Sequence, residues 1–313
     1  MIQISAEQAV AALDYGSLID ALRDIFLTDY TMPVRHHHFY ETTEGVENTF
    51  ILMPVWNDDY LGVKQVTVAP ANSGKGLPAI HANYSLLDAR TGVPLAQLDA
   101  AQLTSRRTAC TSALAASYLA REDAESLLVV GSGKVAQHLV QAHAAVRSYK
   151  TISIWARDSA KAQAMADQLN VQGYSVQATT DLEGAAREAD VMSCATLSPT
   201  PIIKGEWLKA GAHLDLIGSH TPRTREADDE AIRRSSIFVD SREGALHETG
   251  EMAIPIASGV LTPEEVKADI VELCKTVHGG RASADEITLF KSAGMAVEDL
   301  AAALLVYRSV SSQ

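Results

Sequence analysis

The 313-residue chain is expected to fold as an α/β protein. A doubly wound parallel sheet of Rossmann type is joined to a discontinuous α+β domain built on a mainly antiparallel sheet. Three observations predict this. Apolar strands alternate with helices between about 125 and 240; short β-rich runs separated by turn residues occupy 50 to 100; and one apolar strand runs straight into a glycine-rich turn and a helix. At 47% hydrophobic content the chain is long enough for two cores.

The first segment reads as one helix. Ser5 and Gln8 make a capping-box pattern, and Val10, Leu13, Leu18, Leu22 and Ile25 follow at roughly helical spacing. Four β-rich runs come next: 50–55, 61–68, 80–88 and 94–99. Asn57-Asp58 and Arg90-Thr91-Gly92 mark turns between them. An alanine-rich helix over about 104–119 leads into strands at 126–130, 151–155, 174–178, 191–195, 213–217 and 237–239. Six strands with intervening helices are what a doubly wound sheet requires. The stretch 294–307 is apolar with few charges and reads as a helix that packs back on the N-terminal sheet. The expected division is therefore 1–115 with 291–313 as one domain and 116–290 as the dinucleotide-binding domain.

Composition narrows the function. A formal charge of −13, spread through the predicted helices, speaks against nucleic-acid and membrane-surface partners. No basic-then-apolar leader opens the chain and no apolar run reaches spanning length, so a cytoplasmic location is expected. Cys110, Cys194 and Cys274 are widely spaced and odd in number, which suggests reduced, mostly buried thiols and neither a disulfide framework nor a zinc site. His36-His37-His38 suggests a metal only superficially. Adjacent positions of an extended segment point to opposite faces, so no metal site is expected.

The most informative local motif is Leu127-Leu128-Val129-Val130-Gly131-Ser132-Gly133-Lys134-Val135-Ala136, a buried strand followed by G-x-G-x-x-A. Gly131 permits a tight turn, Gly133 lets backbone approach a pyrophosphate, and Ala136 allows close helix packing, while the helix N-terminus faces the anion. Residues 131–136 are thus the expected cofactor cradle. At the end of the next strand, Ala156 and Arg157 stand where many NAD enzymes carry an acidic residue. Arg157 suits a 2′-phosphate, which favours NADP(H) and leaves NAD(H) open. A solvated Arg157 with Asp158 capping the next helix is the plainer reading of the same residues, and Asp158 becomes the ribose ligand if the strand ends one residue later.

Arg35, Lys64 and the Arg106-Arg107 pair stand among apolar or turn residues of the other domain. Alternation places Lys64 on the face of Gly62 and Val66, and periodicity alone allows it to be a protective charge on an edge strand.

Several motifs occur together in order: Pro33-x-Arg35, Gly62-Val63-Lys64, Leu87-Asp88-x-x-Thr91-Gly92-x-Pro94 and Leu103-Thr104-x-x-Arg107-Thr108. The glycine turn follows, then Ala195-Thr196-x-Ser198, Gly205-Glu206-Trp207-Leu208 and Gly211-Ala212-His213. Across nearly its whole length the chain resembles the ornithine cyclodeaminase/mu-crystallin family. The resemblance implies that Arg35 and Arg107 clamp a substrate carboxylate, that Lys64 lies over its carbonyl or imine end, and that Thr196 and Gly218 join the cofactor site. Arginine forks grip carboxylates bidentately, and a lysine can stabilise developing charge or supply a proton.

One position departs from the cyclodeaminases, which carry an aspartate two residues before a proline after the fifth Rossmann strand. Here that position is His220, ahead of Pro222. A neutral histidine does not hold an ammonium ion as a carboxylate does, although it shuttles protons near neutral pH. The segments from Asp215 to Asp229 and Asp285 to Ser292 resemble the Δ1-pyrroline-2-carboxylate reductase branch instead. The expectation is a ketimine reductase in which Lys64 and His220 set the protonation of a small cyclic imino acid. Ornithine cyclodeaminase, an alanine-type amino-acid dehydrogenase and a non-catalytic mu-crystallin-like binding protein are the alternatives. An apolar N-terminal sheet that needs cover, together with the resemblance, implies a homodimer.

Overall fold

The computed structural model describes residues 1–311, the Ser73 side chain aside. Ser312 and Gln313, the end of the expected 291–313 segment, lie outside the described residues. The chain forms two compact units, Met1–Arg107 with Ala296–Gln313, and Thr108–Met295. The sequence reading placed these joins after residue 115 and before 291. No pattern break marks the first join, because one continuous helix, Ala100–Leu119, runs through it.

Unit 1 begins with β1 (Ile2–Ile4) and α1 (Ala6–Ala12), whose capping box between Ser5 and Gln8 is formed as expected. The single expected helix is in fact two. Leu13 leaves helical geometry and Asp14 caps a new helix, α2 (Tyr15–Phe26), by accepting the Ser17 amide at 3.0 Å. Apolar spacing continues across the break, which hides it from periodicity. The strands β2 (His36–Glu41), β3 (Glu47–Trp56), β4 (Tyr60–Val68), β5 (Ile80–Asp88) and β6 (Pro94–Asp99) precede α3 (Ala100–Leu119). The sheet order is β1-β6-β5-β4-β3-β2, antiparallel except for the β1–β6 pair. One helix of the second segment, α11 (Ala296–Ser311), packs on β3, β4 and β5 and against α1 and α2. The face under it is apolar at Met53, Val55, Leu86, Ala96 and Leu98.

Unit 2 holds β7 (Ser126–Val130), α4 (Ala136–Val146), β8 (Thr151–Trp155), α5 (Ser159–Val171), β9 (Val176–Thr179), α6 (Leu182–Glu188), β10 (Val191–Cys194) and β11 (His213–Leu216). After them come α7 (Asp229–Arg234), β12 (Ser236–Val239), α8 (Arg242–Glu248), α9 (Gly250–Ala257), β13 (Val266–Asp269), α10 (Ile270–Cys274) and β14 (Thr288–Lys291). All pairings are parallel, in the order β13-β12-β14-β11-β10-β7-β8-β9. The expected doubly wound sheet is present with two more strands than the six expected, β13 and β14; β14 fills the place between β11 and β12. Chain order reverses between β7 and β10, the crevice at which such sheets bind ligands beyond their C-terminal strand ends. Among the described residues no helix is long and apolar enough to cross a membrane.

Candidate active site

In unit 1 the register sets Met53, Lys64, Tyr84 and Leu98 side by side across β3, β4, β5 and β6, and all four are buried. The edge-strand reading of Lys64 is thereby overturned. β4 lies inside the sheet, and Lys64 is only 2% exposed. A lysine there needs a counter-charge, and α11 supplies it: Lys64 Nζ lies 2.7 Å from Asp299 Oδ2. Arg107 joins the same carboxylate, its Nε donating to Asp299 Oδ1 at 2.9 Å, and its Nη1 donates to Glu298. Two adjacent acids of α11, both fully buried, therefore orient one lysine and one arginine.

The electrostatics follow from burial. Desolvation pulls the Lys64 ammonium down from 10.5 to about 8; Asp299 opposes that fall, while the charges of Arg107 and Arg35 add to it. For Arg107, desolvation is outweighed by Asp299 and Glu298, so it stays firmly cationic. Arg35 is half-buried. With all five groups ionised, the three cations Arg35, Lys64 and Arg107 exceed the two carboxylates by one positive charge, which suits a carboxylate ligand. Tyr84 completes the cluster. Its hydroxyl occupies the space a side chain at Gly62 would take, since a Cβ there would lie 1.8 Å from Oη. Burial, and then Asp299, push that phenol well above its usual range.

In unit 2 the glycine turn borders a cavity of about 280 Å³ lined by Gly131, Ser132, Gly133, Trp155, Arg157, Lys161, Ala195, Thr196 and Ser198 among others. Gly131 has φ +128°, and a Cβ on it would meet Ala195 O at 2.6 Å, so only glycine lets the turn pack on the β10 end. A Cβ on Gly133 would meet nothing within 4 Å, leaving room for a ligand to approach the backbone. No side chain caps α4, whose N-cap is Val135, and Ala136 packs fully buried at its start. An uncapped N-terminus beside a glycine turn and a cavity fits a pyrophosphate. The β8 strand ends at Trp155 as expected, and Asp158 caps α5 by accepting the Ala160 and Lys161 amides. Its carboxylate is therefore engaged, and the basic residues at the cavity are exposed Arg157 and Lys161.

The strand ends beyond the cavity are tied by a group the sequence reading did not single out. Buried Glu226 accepts the Thr196 amide at 2.6 Å and hydroxyl at 2.7 Å on one oxygen, and the Gly218 amide at 2.7 Å on the other. Gly218 has no room for a side chain, as a Cβ would fall 1.8 Å from Thr196 O.

The structure thus brings Lys64 and Arg107 together on Asp299. It places Gly131, Ser132, Gly133, Arg157 and Thr196 on one cavity; Lys134, Val135 and Ala136 enter α4 beside it; and Gly218 joins Thr196 through Glu226. His220 is exposed in the loop after β11, its Nδ1 3.2 Å from Gly218 O. His36, His37 and His38 belong to exposed edge strand β2. Among the described residues no group of three or more His, Cys, Asp or Glu is placed to hold a metal ion.

An all-parallel sheet with a glycine turn at its switch point and an uncapped helix facing a cavity is the architecture of a Rossmann-type dinucleotide-binding protein. Residues 2–313 match the ornithine cyclodeaminase/mu-crystallin family, and the chain belongs to it. A Delta(1)-pyrroline-2-carboxylate reductase of Colwellia psychrerythraea is 36% identical over 304 residues, 96% of each chain. Among solved structures, a Delta(1)-pyrroline-2-carboxylate reductase of Thermococcus litoralis in complex with NADH and L-proline superposes with a TM-score of 0.93. It is 29% identical, with 100% of this chain and 98% of that one covered. An archaeal alanine dehydrogenase dimer with bound NAD gives a TM-score of 0.92 at 30% identity, covering 100% of this chain and 96% of that one.

Proposed function

We propose that this chain, a nicotinamide-dependent oxidoreductase acting on C=N bonds, reduces a small cyclic imino acid. The substrate is Δ1-pyrroline-2-carboxylate or Δ1-piperideine-2-carboxylate, and the product L-proline or L-pipecolate. The observation that carries this is the buried Lys64–Asp299–Arg107 cluster. Arg107, held in orientation by two carboxylates, and Arg35 bind the substrate carboxylate, so that the ring is fixed by its one anionic group. Lys64 stands near pKa 8, mostly protonated at neutral pH, and keeps the imine nitrogen protonated. His220, at the loop following a Rossmann strand, serves as a second proton carrier. When bound, the dinucleotide supplies the hydride that the imine carbon accepts. Gly131 to Ala136 take its pyrophosphate, with Thr196 and Gly218 holding the strand ends. Arg157 at the end of β8 favours NADPH through its 2′-phosphate. The reading expects a cytoplasmic homodimer.

The test is NADPH oxidation at neutral pH with each imine, alongside an ammonia assay with L-ornithine and NAD. Imine-dependent oxidation without ammonia from ornithine supports the reading. Ammonia and proline from ornithine would show instead a cyclodeaminase that works with His220, and reductive amination of an open-chain 2-oxo acid would point to an amino-acid dehydrogenase. His220→Ala with wild-type turnover would remove the histidine from the scheme.

A further inference from the structure

We propose that Glu226 is the positioning residue of the dinucleotide site, clamping both ends of the 196–202 segment that lines the cavity. The inference rests on the reading that this cavity takes the cofactor. Part of the cavity lining, beginning where the Gly131 turn packs on Ala195, is Ala195, Thr196, Leu197, Ser198 and Ile202. This stretch follows β10 and has no helix or strand of its own until its end, so something outside it must hold its path. Glu226 does so at both ends. Its side chain takes the Thr196 amide and hydroxyl at 2.6 and 2.7 Å, and its backbone carbonyl accepts the Ile202 and Ile203 amides at 2.8 and 2.9 Å.

The clamp reaches two further cofactor elements. The second carboxylate oxygen accepts the Gly218 amide after β11, and Gly218 is pressed against Thr196 O with no space for a Cβ. Ala195 O, one residue before the clamped Thr196, is the atom against which the Gly131 turn packs. Glu226 itself is anchored: its amide, and that of Ala227 at 2.9 Å, donate to buried Glu251 of α9. Three donors converge on one carboxylate in a dry site, where charge-assisted bonds are strongest and an acceptor lost leaves donors unpaired. A carboxamide has the same shape but accepts on one side only, and its NH2 would face an N–H.

Glu226→Gln is therefore the informative change, read by nicotinamide fluorescence titration of NADPH and of NADH, with thermal melting as a parallel readout. The expected result is a Kd for both dinucleotides raised about 10- to 100-fold in protein that still melts cooperatively. Asp181→Ala, which removes the α6 cap in the same unit away from this cavity, controls for lost stability. It should lower Tm while leaving Kd unchanged. Thr196→Val should weaken binding less than Glu226→Gln, and the double variant should bind no worse than Glu226→Gln alone, because the hydroxyl acts through the carboxylate. Wild-type Kd in folded Glu226→Gln, or additive losses in the double variant, would overturn the clamp. Wild-type protein that binds neither dinucleotide would overturn the cofactor reading, and this inference with it.

Discussion

Replacing Asp299 with asparagine removes the charge beside Lys64 while keeping the side chain's size, and the structure gives the direction and scale of the consequence. Lys64 sits at about 8 because desolvation lowers it and Asp299, in contact at 2.7 Å, holds it up. A unit charge at about 4 Å is worth about 1 kcal/mol in water and about 4 kcal/mol at an effective dielectric of about 20. Its removal should drop the ammonium by about one to three pH units, to between roughly 5 and 7. If protonated Lys64 is required, wild-type kcat/KM for imine reduction falls as pH rises through about 8, and in Asp299→Asn the same limb moves to lower pH. At pH 7.5 the variant should then have lost about threefold in kcat/KM if its lysine falls to about 7 and about 200-fold if it falls to about 5, because most of its lysine is neutral. The assay is initial-rate NADPH oxidation from pH 5 to 10 on wild type, Asp299→Asn and Lys64→Met, each checked for folding by its melting curve. An Asp299→Asn limb still near pH 8, or an unchanged limb in Lys64→Met, would refute the argument. The titrating group would then be elsewhere, the substrate imine included.

Three further outcomes are expected. The same lysine links stability to pH: its folded value is depressed from 10.5 to about 8, so the folded state holds fewer protons between those values. Stability therefore rises with pH across that window by about 3 kcal/mol from this group, and is lost again as pH falls through 8. Urea melts at pH 8 and 10 should show that slope in wild type and its absence in Lys64→Met. Gly62→Ala forces a Cβ into the Tyr84 ring and should cost about 1–3 kcal/mol in urea denaturation, whereas Gly62→Ala with Tyr84→Phe, which removes the nearest atom, should recover part of it. Arg157→Ala should raise KM for NADPH at least tenfold with little change for NADH. Equal effects on both, or on neither, would remove the 2′-phosphate role.

How far the site is legible in the amino-acid sequence depends on the kind of signal each residue carries. The β7 strand and its glycine turn, like β5, β6 and β8, stand at the expected residues, because β-rich runs bounded by glycine or turn residues are marked in composition itself. The sequence leaves loop and strand surface both open at His36 to His38, because β2, His36 to Glu41, is exposed throughout and is a strand only through pairing with β3. β14, at Thr288–Lys291, is not among the expected strands: it is only four residues long and ends in a lysine. Lys291 is in fact fully buried, with Nζ donating to Ser219 O at 2.9 Å. Glu298 and Asp299 illustrate the same limit more sharply. In a helix read as apolar with few charges, those charges are the ones that organise Lys64 and Arg107, some 190 residues or more away in sequence. Neither periodicity nor local spacing connects such positions; only the packing of α11 on β3, β4 and β5 does.

That arrangement bears on how the protein is made. Unit 1 is written in two instalments, and the second arrives only after residues 108–295 of unit 2 have been synthesised. At about 5–20 residues per second, the ribosome spends roughly 10–40 s on that insert. For this interval β1 to β6, with Lys64 on β4 and Arg107 on the first turns of α3, precede the helix that carries Glu298 and Asp299, and the last strand of unit 2, β14, is made only at its end. A product truncated before Ala296 would lack Glu298 and Asp299, the acids that pair with Lys64 and Arg107. In this topology Lys64 and Arg107 gain the acids that pair with them only once α11 has been made.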